Sequence, residues 1–478
     1  MYRFFSIVAL LLACSLTVSA QTNAYEIEIK LQGYSNDSIH LANYLMDKQY
    51  LRDTAVLNQK TGTYTFSGAE PMQPGIYLVV MPPENKFFQI LINEEEKFFS
   101  LSADPDKPAE TMKIKGSKDN ELFYDYLKYL GEQRPLSEKY NSEKEKADEK
   151  KKADWQAKID KINKEVADKQ LEIINNHPKS LTAAVIKANR STEMPEINGT
   201  DEKDTQFLKW QWTREHYFDN IDLGDPRLLR TPFLFQRVNY FNEKLTVQHP
   251  DSIAQSLFYI LDRMQPAPDN FKYYLVHYLN EYAASKIVGF DAVYVALVER
   301  YYKTGKASWT EEEQLKKILD NAATLKPLLV GKVAPNIVTE TQNGEKIALH
   351  DIDSPYTVLI FWDPECGHCK KSMPGLVDFY KKYNDKGVEV LAVCTRFMKE
   401  TDNCWEFVKE KEIGLWLNTV DPYHRSKYKL IYDIRSTPQI YVLDKDKTIL
   451  SKKIGSEQLG DLIDQIILRE QEEMKQGK

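Results

Sequence analysis

From Tyr25 to about residue 104, apolar and polar residues alternate, as in Tyr25-Glu26-Ile27-Glu28-Ile29-Lys30-Leu31. A period of two predicts strands with one buried face. Gly33, Gly62, Gly68 and Pro74-Gly75 punctuate the alternation, and residues 75–80 and 87–92 are short apolar runs between turns. The pattern predicts a sandwich of antiparallel strands over residues 21–116. After Gly116 the spacing becomes helical, beginning with Leu122, Phe123, Tyr126, Leu127 and Leu130. The charged tract 142–174 then places Trp155, Ile159, Ile162, Val166 and Ile173 on one face, which predicts one long amphipathic helix. Its Lys and Glu residues are interleaved, so the opposite face reads as solvated and laced with i,i+4 pairs rather than as a polyanion-binding stripe. Helical character continues to about residue 326, with an aromatic-rich stretch from Trp210 to Phe241 that reads as core. Thr310 and Glu313 have the spacing of a capping box for the last helix of this region.

Residues 327–478 alternate between strand and helix patterns. Val358–Trp362 and 388–393 are apolar, β-branched runs, 369–383 and 404–412 have helical spacing, and 439–443 with 448–450 flank a turn at Asp444-Lys445-Asp446-Lys447. A last helix is expected from Leu459 to Glu470. Strands alternating with helices predict an α/β domain built on a mostly parallel or mixed sheet. The expected architecture is therefore multidomain: an all-β sandwich at 21–116, an α-helical region at 117–326 and an α/β domain at 327–478.

Length agrees, since 478 residues correspond to roughly three domains. With 64 Lys+Arg against 71 Asp+Glu there is no basic field to hold nucleic acid. Residues 1–20 have a short start with Arg3, an apolar stretch from Phe4 to Leu12 and a Val18-Ser19-Ala20 ending, the pattern of a cleaved export signal. Leu11-Leu12-Ala13-Cys14 is also similar to a lipoprotein signal, which would attach a lipid anchor at Cys14. Either route exports the chain. Apart from Cys14, the cysteines are Cys366, Cys369, Cys394 and Cys404. Four cysteines are too few for a disulfide scaffold in a chain of this size, so chemistry is the better reason for them.

The string from Val358 to Pro374 runs from a buried strand through a short loop into Cys366-Gly367-His368-Cys369 and a helix. Two thiols three residues apart in a first helical turn are close enough to form a reversible disulfide. The free N–H groups and dipole of the turn stabilise the thiolate of the first. Cys366 reads as the nucleophile and Cys369, one turn inward, as the resolving thiol. A protonated His368 would stabilise the thiolate further. No motif for a metal or other cofactor accompanies the pair. A zinc site needs a second ligand pair at a recognisable spacing, and haem attachment needs His where Lys370 stands.

These residues resemble the thioredoxin superfamily, and more narrowly the exported TlpA/ResA-like oxidoreductases associated with thiol maintenance and cytochrome c maturation. The resemblance covers about the last 150 residues. It rests on Gly331-Lys332-Val333-Ala334-Pro335, on Phe361-Trp362 before the redox loop, on Pro374, and on Ser436-Thr437-Pro438 before a strand. It implies a cis Thr437–Pro438 bond beside the disulfide, with Thr437, Pro438 and Trp362 forming the surface that receives a substrate. It also implies protein thiols or disulfides as substrates and a membrane or periplasmic thiol reductant or oxidant as redox partner. Two departures stand out: Glu365 occupies the position usually held by Trp, and Ile360 replaces the family's buried strand acid. Glu365 becomes the nearest candidate proton acceptor for Cys369, although a carboxylate beside Cys366 would raise that thiol's pKa. Two other readings stay open. One is an envelope binding protein that uses the α/β domain as scaffold, and the other is a peroxiredoxin-like peroxidase, for which Asp363 stands where a Thr is expected. Cys394 and Cys404 read as a structural disulfide or as two buried thiols.

Overall fold

A computed structural model describes residues 23–475; the segment read as an export signal, with Cys14, lies outside them. Contacts group the chain into two compact units divided between Phe241 and Asn242.

The first unit opens with strands β1 (Tyr25–Leu31), β2 (Ser38–Leu45), β3 (Lys48–Asn58), β4 (Thr63–Gly68), β5 (Gly75–Met81), β6 (Lys86–Ile92), β7 (Phe98–Ala103) and β8 (Lys113–Lys115). They join in one order, β6-β5-β2-β3-β4-β1-β7-β8. The expected β domain is present, but its strands form one continuous sheet because β3 is shared. Most of β3 pairs with β2, and Leu57 and Asn58 at its end pair with β4. All pairings are antiparallel except β1 with β7, which is parallel. The alternation does what it predicts: Ile27 and Ile29 are buried in a core with Phe66, Ile76 and Ile90, while Glu26 and Glu28 face solvent. Gly116, at φ +93°, turns the chain out of β8 where a Cβ would sit 2.8 Å from the Phe98 carbonyl.

Helices α1 (Lys118–Lys146), α2 (Glu149–Asn176) and α3 (Leu181–Asn189) follow. The charged tract is not one helix, as its periodicity predicted. It breaks at Ala147, where the Asp148 carboxylate caps α2 by accepting from the Lys151 N–H at 3.0 Å. Folding α2 back beside α1 covers the stripe that contains Ile159, Ile162 and Ile173, all buried. Two polar residues in the first turn of α1 lock it in place. Asn120 bonds both the N–H and the C=O of Leu91 at 2.8 Å, and the buried Asp119 carboxylate accepts from the N–H groups of Leu181 and Thr182 at 2.7 and 3.0 Å, capping α3. In the aromatic stretch, Tyr217, Phe218 and Phe241 pack on one another at centroid distances of 4.9–5.7 Å.

The second unit contains helices α4 (Pro250–Met264), α5 (Pro268–Ala284), α6 (Asp291–Leu297) and α7 (Glu312–Leu325). The capping box expected at Thr310 does not form. The Thr310 N–H closes a turn onto Ala307, Glu311 becomes the N-cap, and Glu313 pairs with Lys317 instead. The seven-stranded sheet has order β10-β9-β13-β12-β11-β14-β15. Its strands are β9 (Val338–Glu340), β10 (Lys346–Ala348), β11 (Tyr356–Trp362), β12 (Val388–Cys394), β13 (Leu417–Val420), β14 (Gln439–Leu443) and β15 (Ile449–Lys452). Helices α8 (Gly367–Tyr383), α9 (Thr401–Glu410) and α10 (Leu459–Lys475) complete the α/β fold. Central strand β11 is buried at every position, parallel to β12 and antiparallel to β14. Alternate β11 residues feed two cores: Val358, Ile360 and Trp362 join one, Leu359 and Phe361 the other. Helices 250–325 and the α/β fold belong to one unit, tied by Lys452 on β15. Its ammonium is buried, pairs with Asp291 and donates to the Leu328 carbonyl at 2.5 Å. No helix among the described residues is long and apolar enough to cross a membrane.

Candidate active site

Strand β11 ends at Trp362, and the turn Asp363-Pro364-Glu365 delivers Cys366 to the start of α8. The turn is self-bonded: the Asp363 carboxylate accepts from the Glu365 N–H at 2.8 Å, and its carbonyl accepts from the Cys366 N–H at 3.1 Å. Cys366 is the N-cap itself, a residue earlier than a place in the first turn, and its sulfur accepts from the Cys369 N–H at 3.3 Å. The Cys366 thiol lies 3.1 Å from the Thr437 carbonyl oxygen, and Thr437–Pro438 is a cis peptide. Residues 71 positions apart are thus brought into contact by the pairing of β11 with β14, which follows Pro438 directly.

The two thiols differ. Cys366 is partly exposed and Cys369 is buried. Burial pushes the Cys366 thiol up, but hydrogen bonds with the Cys369 side chain, with Thr437 and with the backbone of Cys369 and His368 outweigh it, and the net pKa is below the ordinary thiol value. For Cys369 burial dominates, helped by the neighbouring Cys366, and its pKa is pushed up to about 12. The Cys366 thiol therefore ionises more readily than the Cys369 thiol.

The remaining expected site residues fall less evenly. His368 has an exposed side chain and reaches Cys366 through its backbone. Glu365 is not brought to Cys369: its carboxylate turns outward and accepts from Arg396 at 2.6 Å, because that guanidinium offers a charged partner at the surface. Trp362 does not belong to a substrate surface. At 1% exposure it lies in the core against Phe407, because its place on β11 points it under the helices. Sequence reasoning missed Arg396, which also holds Asp363 at 2.9 Å and Glu400 at 3.3 Å. Cys394 and Cys404 form a disulfide with both residues buried. Among the described residues no cluster of His, Cys, Asp and Glu has the makings of a metal site.

Comparison with known proteins finds a family that this sequence resembles. The AhpC/TSA family profile matches residues 330–452, and two profiles of domains of unknown function, DUF4369 and DUF5106, match 25–123 and 142–324. The thiol-disulfide oxidoreductase ResA of Bacillus cereus is 33% identical over 129 residues, 27% of this chain and 71% of the relative. This chain belongs to the ResA-like thiol-disulfide oxidoreductases. ResA of Bacillus subtilis is 41% identical over 63 residues, 13% of this chain and 35% of that protein. Among solved structures, a domain of a possible thiol-disulfide isomerase from Cytophaga hutchinsonii is 39% identical over 31% of this chain and 98% of its own, with a TM-score of 0.29. A thioredoxin-like protein from Bacteroides caccae is 18% identical over 57% of this chain and 99% of its own, with a TM-score of 0.43. The ResA-like α/β fold is here preceded by a β domain and helices, and the turn that carries Cys366 opens at the C-terminal end of its central strand.

Proposed function

We propose that this ResA-like oxidoreductase exchanges disulfides with protein substrates outside the cytoplasm through Cys366 and Cys369. The observation that carries the reading is the sulfur of Cys366, which sits at a helix N-cap, partly exposed, within 3.1 Å of the Thr437 carbonyl. In the reducing direction the Cys366 thiolate attacks one sulfur of a substrate disulfide. The substrate S–S bond breaks, a Cys366–substrate bond forms, and the other substrate sulfur leaves as a thiolate. Cys369 then gives its proton to the released substrate thiolate and attacks Cys366, and the second substrate sulfur leaves as a thiolate. The mixed disulfide breaks, the Cys366–Cys369 disulfide forms, and two electrons have passed to the substrate. A thiol donor in the same compartment must return them; run backwards, the same steps oxidise a dithiol. Thr437 and Pro438 would hold the substrate backbone during the mixed-disulfide stage, since the Thr437 carbonyl already lies against the attacking sulfur.

Export is supported by the residue pattern of 1–20, with lipidation at Cys14 as the alternative route. The test is to trap partners in cells with Cys369→Ala, which removes the resolving thiol and leaves substrates on Cys366. Covalent partners that vanish when Cys366→Ala is added support the reading and identify the substrates. An absence of partners, together with an unreactive Cys366 in the purified chain, would replace it with the scaffolded binding protein.

A further inference from the structure

Arg396 and the Cys394–Cys404 disulfide take no part in the exchange just described, yet they lie against the turn that makes it possible. The Arg396 guanidinium, with 20% of its side chain exposed, binds both acidic residues of that turn, Asp363 at 2.9 Å and Glu365 at 2.6 Å, and also Glu400 at 3.3 Å. Its segment is fastened on each side. The Thr395 N–H donates to the Trp362 carbonyl at 2.8 Å, Met398 donates to Pro422 at 2.9 Å, and the buried disulfide joins residues 394 and 404 around it.

We propose that Arg396 is a positioning residue for the Cys366 thiolate: it neutralises Asp363 and Glu365 and fixes the turn that presents Cys366, while the Cys394–Cys404 disulfide holds the segment that carries it. The inference rests on the reading of Cys366 as attacking thiol. Its logic is electrostatic. A carboxylate beside a thiol disfavours the thiolate, and here one lies directly before Cys366 and a second three residues before it. Arginine stays charged at any working pH, and its planar fork serves several carboxylates at once, which a lysine does less well. The titratable residues nearest Cys366 in sequence on α8 are His368 and Lys370, both exposed, and before the Thr437 loop Asp433 and Arg435 pair with each other at 2.8 Å.

The test is the pKa of Cys366 in the full chain, read from the pH dependence of alkylation. Arg396→Gln should raise it by about one unit or more, since it unmasks two neighbouring carboxylates. The glutathione equilibrium should move toward the enzyme disulfide, because the thiolate that stabilises the reduced form is lost. Arg396→Lys should restore most of the shift, and Glu365→Gln placed in the Arg396→Gln background should reverse the part that Glu365 contributes. A purely structural Arg396 would show no such reversal, and an unchanged pKa in Arg396→Gln would equally overturn the proposal. If Arg396→Gln does not fold, Glu365→Gln alone decides. Little change means the charge is already neutralised, as proposed, and a fall of about a unit or more means it was never masked. The Cys369→Ala trap separates the two levels: captured partners with an unmoved pKa defeat only the role of Arg396.

Discussion

At the residue scale the site works by contrast between two cysteines of the same type. The Cys366 sulfur meets the backbone of His368 and Cys369 at the start of a helix, while Cys369 ends in the core, so the same side chain is pulled down in one case and pushed up to about 12 in the other. The asymmetry has a direct pH signature. Alkylation with iodoacetamide should modify Cys366 first, with a rate that climbs with pH and levels off below the range of an ordinary cysteine, while Cys369 stays unlabelled near neutrality. Peptide mapping after a short pulse checks this; equal labelling of both would contradict the burial difference. Glu365 shows how a residue can be found for the wrong reason. Its place beside Cys366 was legible, but its partner was not, since Arg396 follows 31 positions later on another strand's exit loop.

At the element scale, β11 and α8 are readable from the string itself: a fully apolar strand, a turn with Pro364, and a helix with thiols at its N-terminus. The break between α1 and α2 was not, because Ala147 and Asp148 fit an exposed helix face. Asp148 acts as a cap only once the second helix has a first to fold against. The Cys394–Cys404 disulfide is likewise an element-scale device, spanning the exit loop of β12 and the first turn of α9. Closing a loop of about ten residues restricts the unfolded chain by about 2–3 kcal/mol. The double variant Cys394→Ala, Cys404→Ala should lose stability of that order in urea unfolding, with Cys366 and Cys369 kept reduced in both proteins. A loss near zero would mean that loop closure contributes nothing here.

At the scale of the whole molecule, the helices before residue 326 do not form one body. Those from Asn242 onward share a unit with the ResA-like fold, and the earlier ones share a unit with the β sheet. Composition does not announce this division, because both sets have similar apolar spacing. The link in the second unit is Lys452, 3% exposed, whose burial pulls its pKa down even with Asp291 beside it. A double-mutant cycle between Lys452→Ala and Asp291→Ala should give a coupling of about 0.5–3 kcal/mol, as expected for contacting residues in one network. Additive losses would show that the helices hold to the fold by apolar contacts alone.

Local pattern determined the strands of the β domain, the α/β character of the last 150 residues and the thiol pair. Each depends on residues near in sequence, where periodicity, turn chemistry and spacing carry the information. Tertiary structure alone decided what meets whom: Thr437 against Cys366, Arg396 against Asp363 and Glu365, Trp362 in the core, Cys394 bonded to Cys404, and Lys452 against Asp291. Those contacts follow from strand order and from which face each strand buries. Alternation marks the face a strand buries, but it carries no signal for which strand lies beside which; that is chosen only by the packing of the whole sheet.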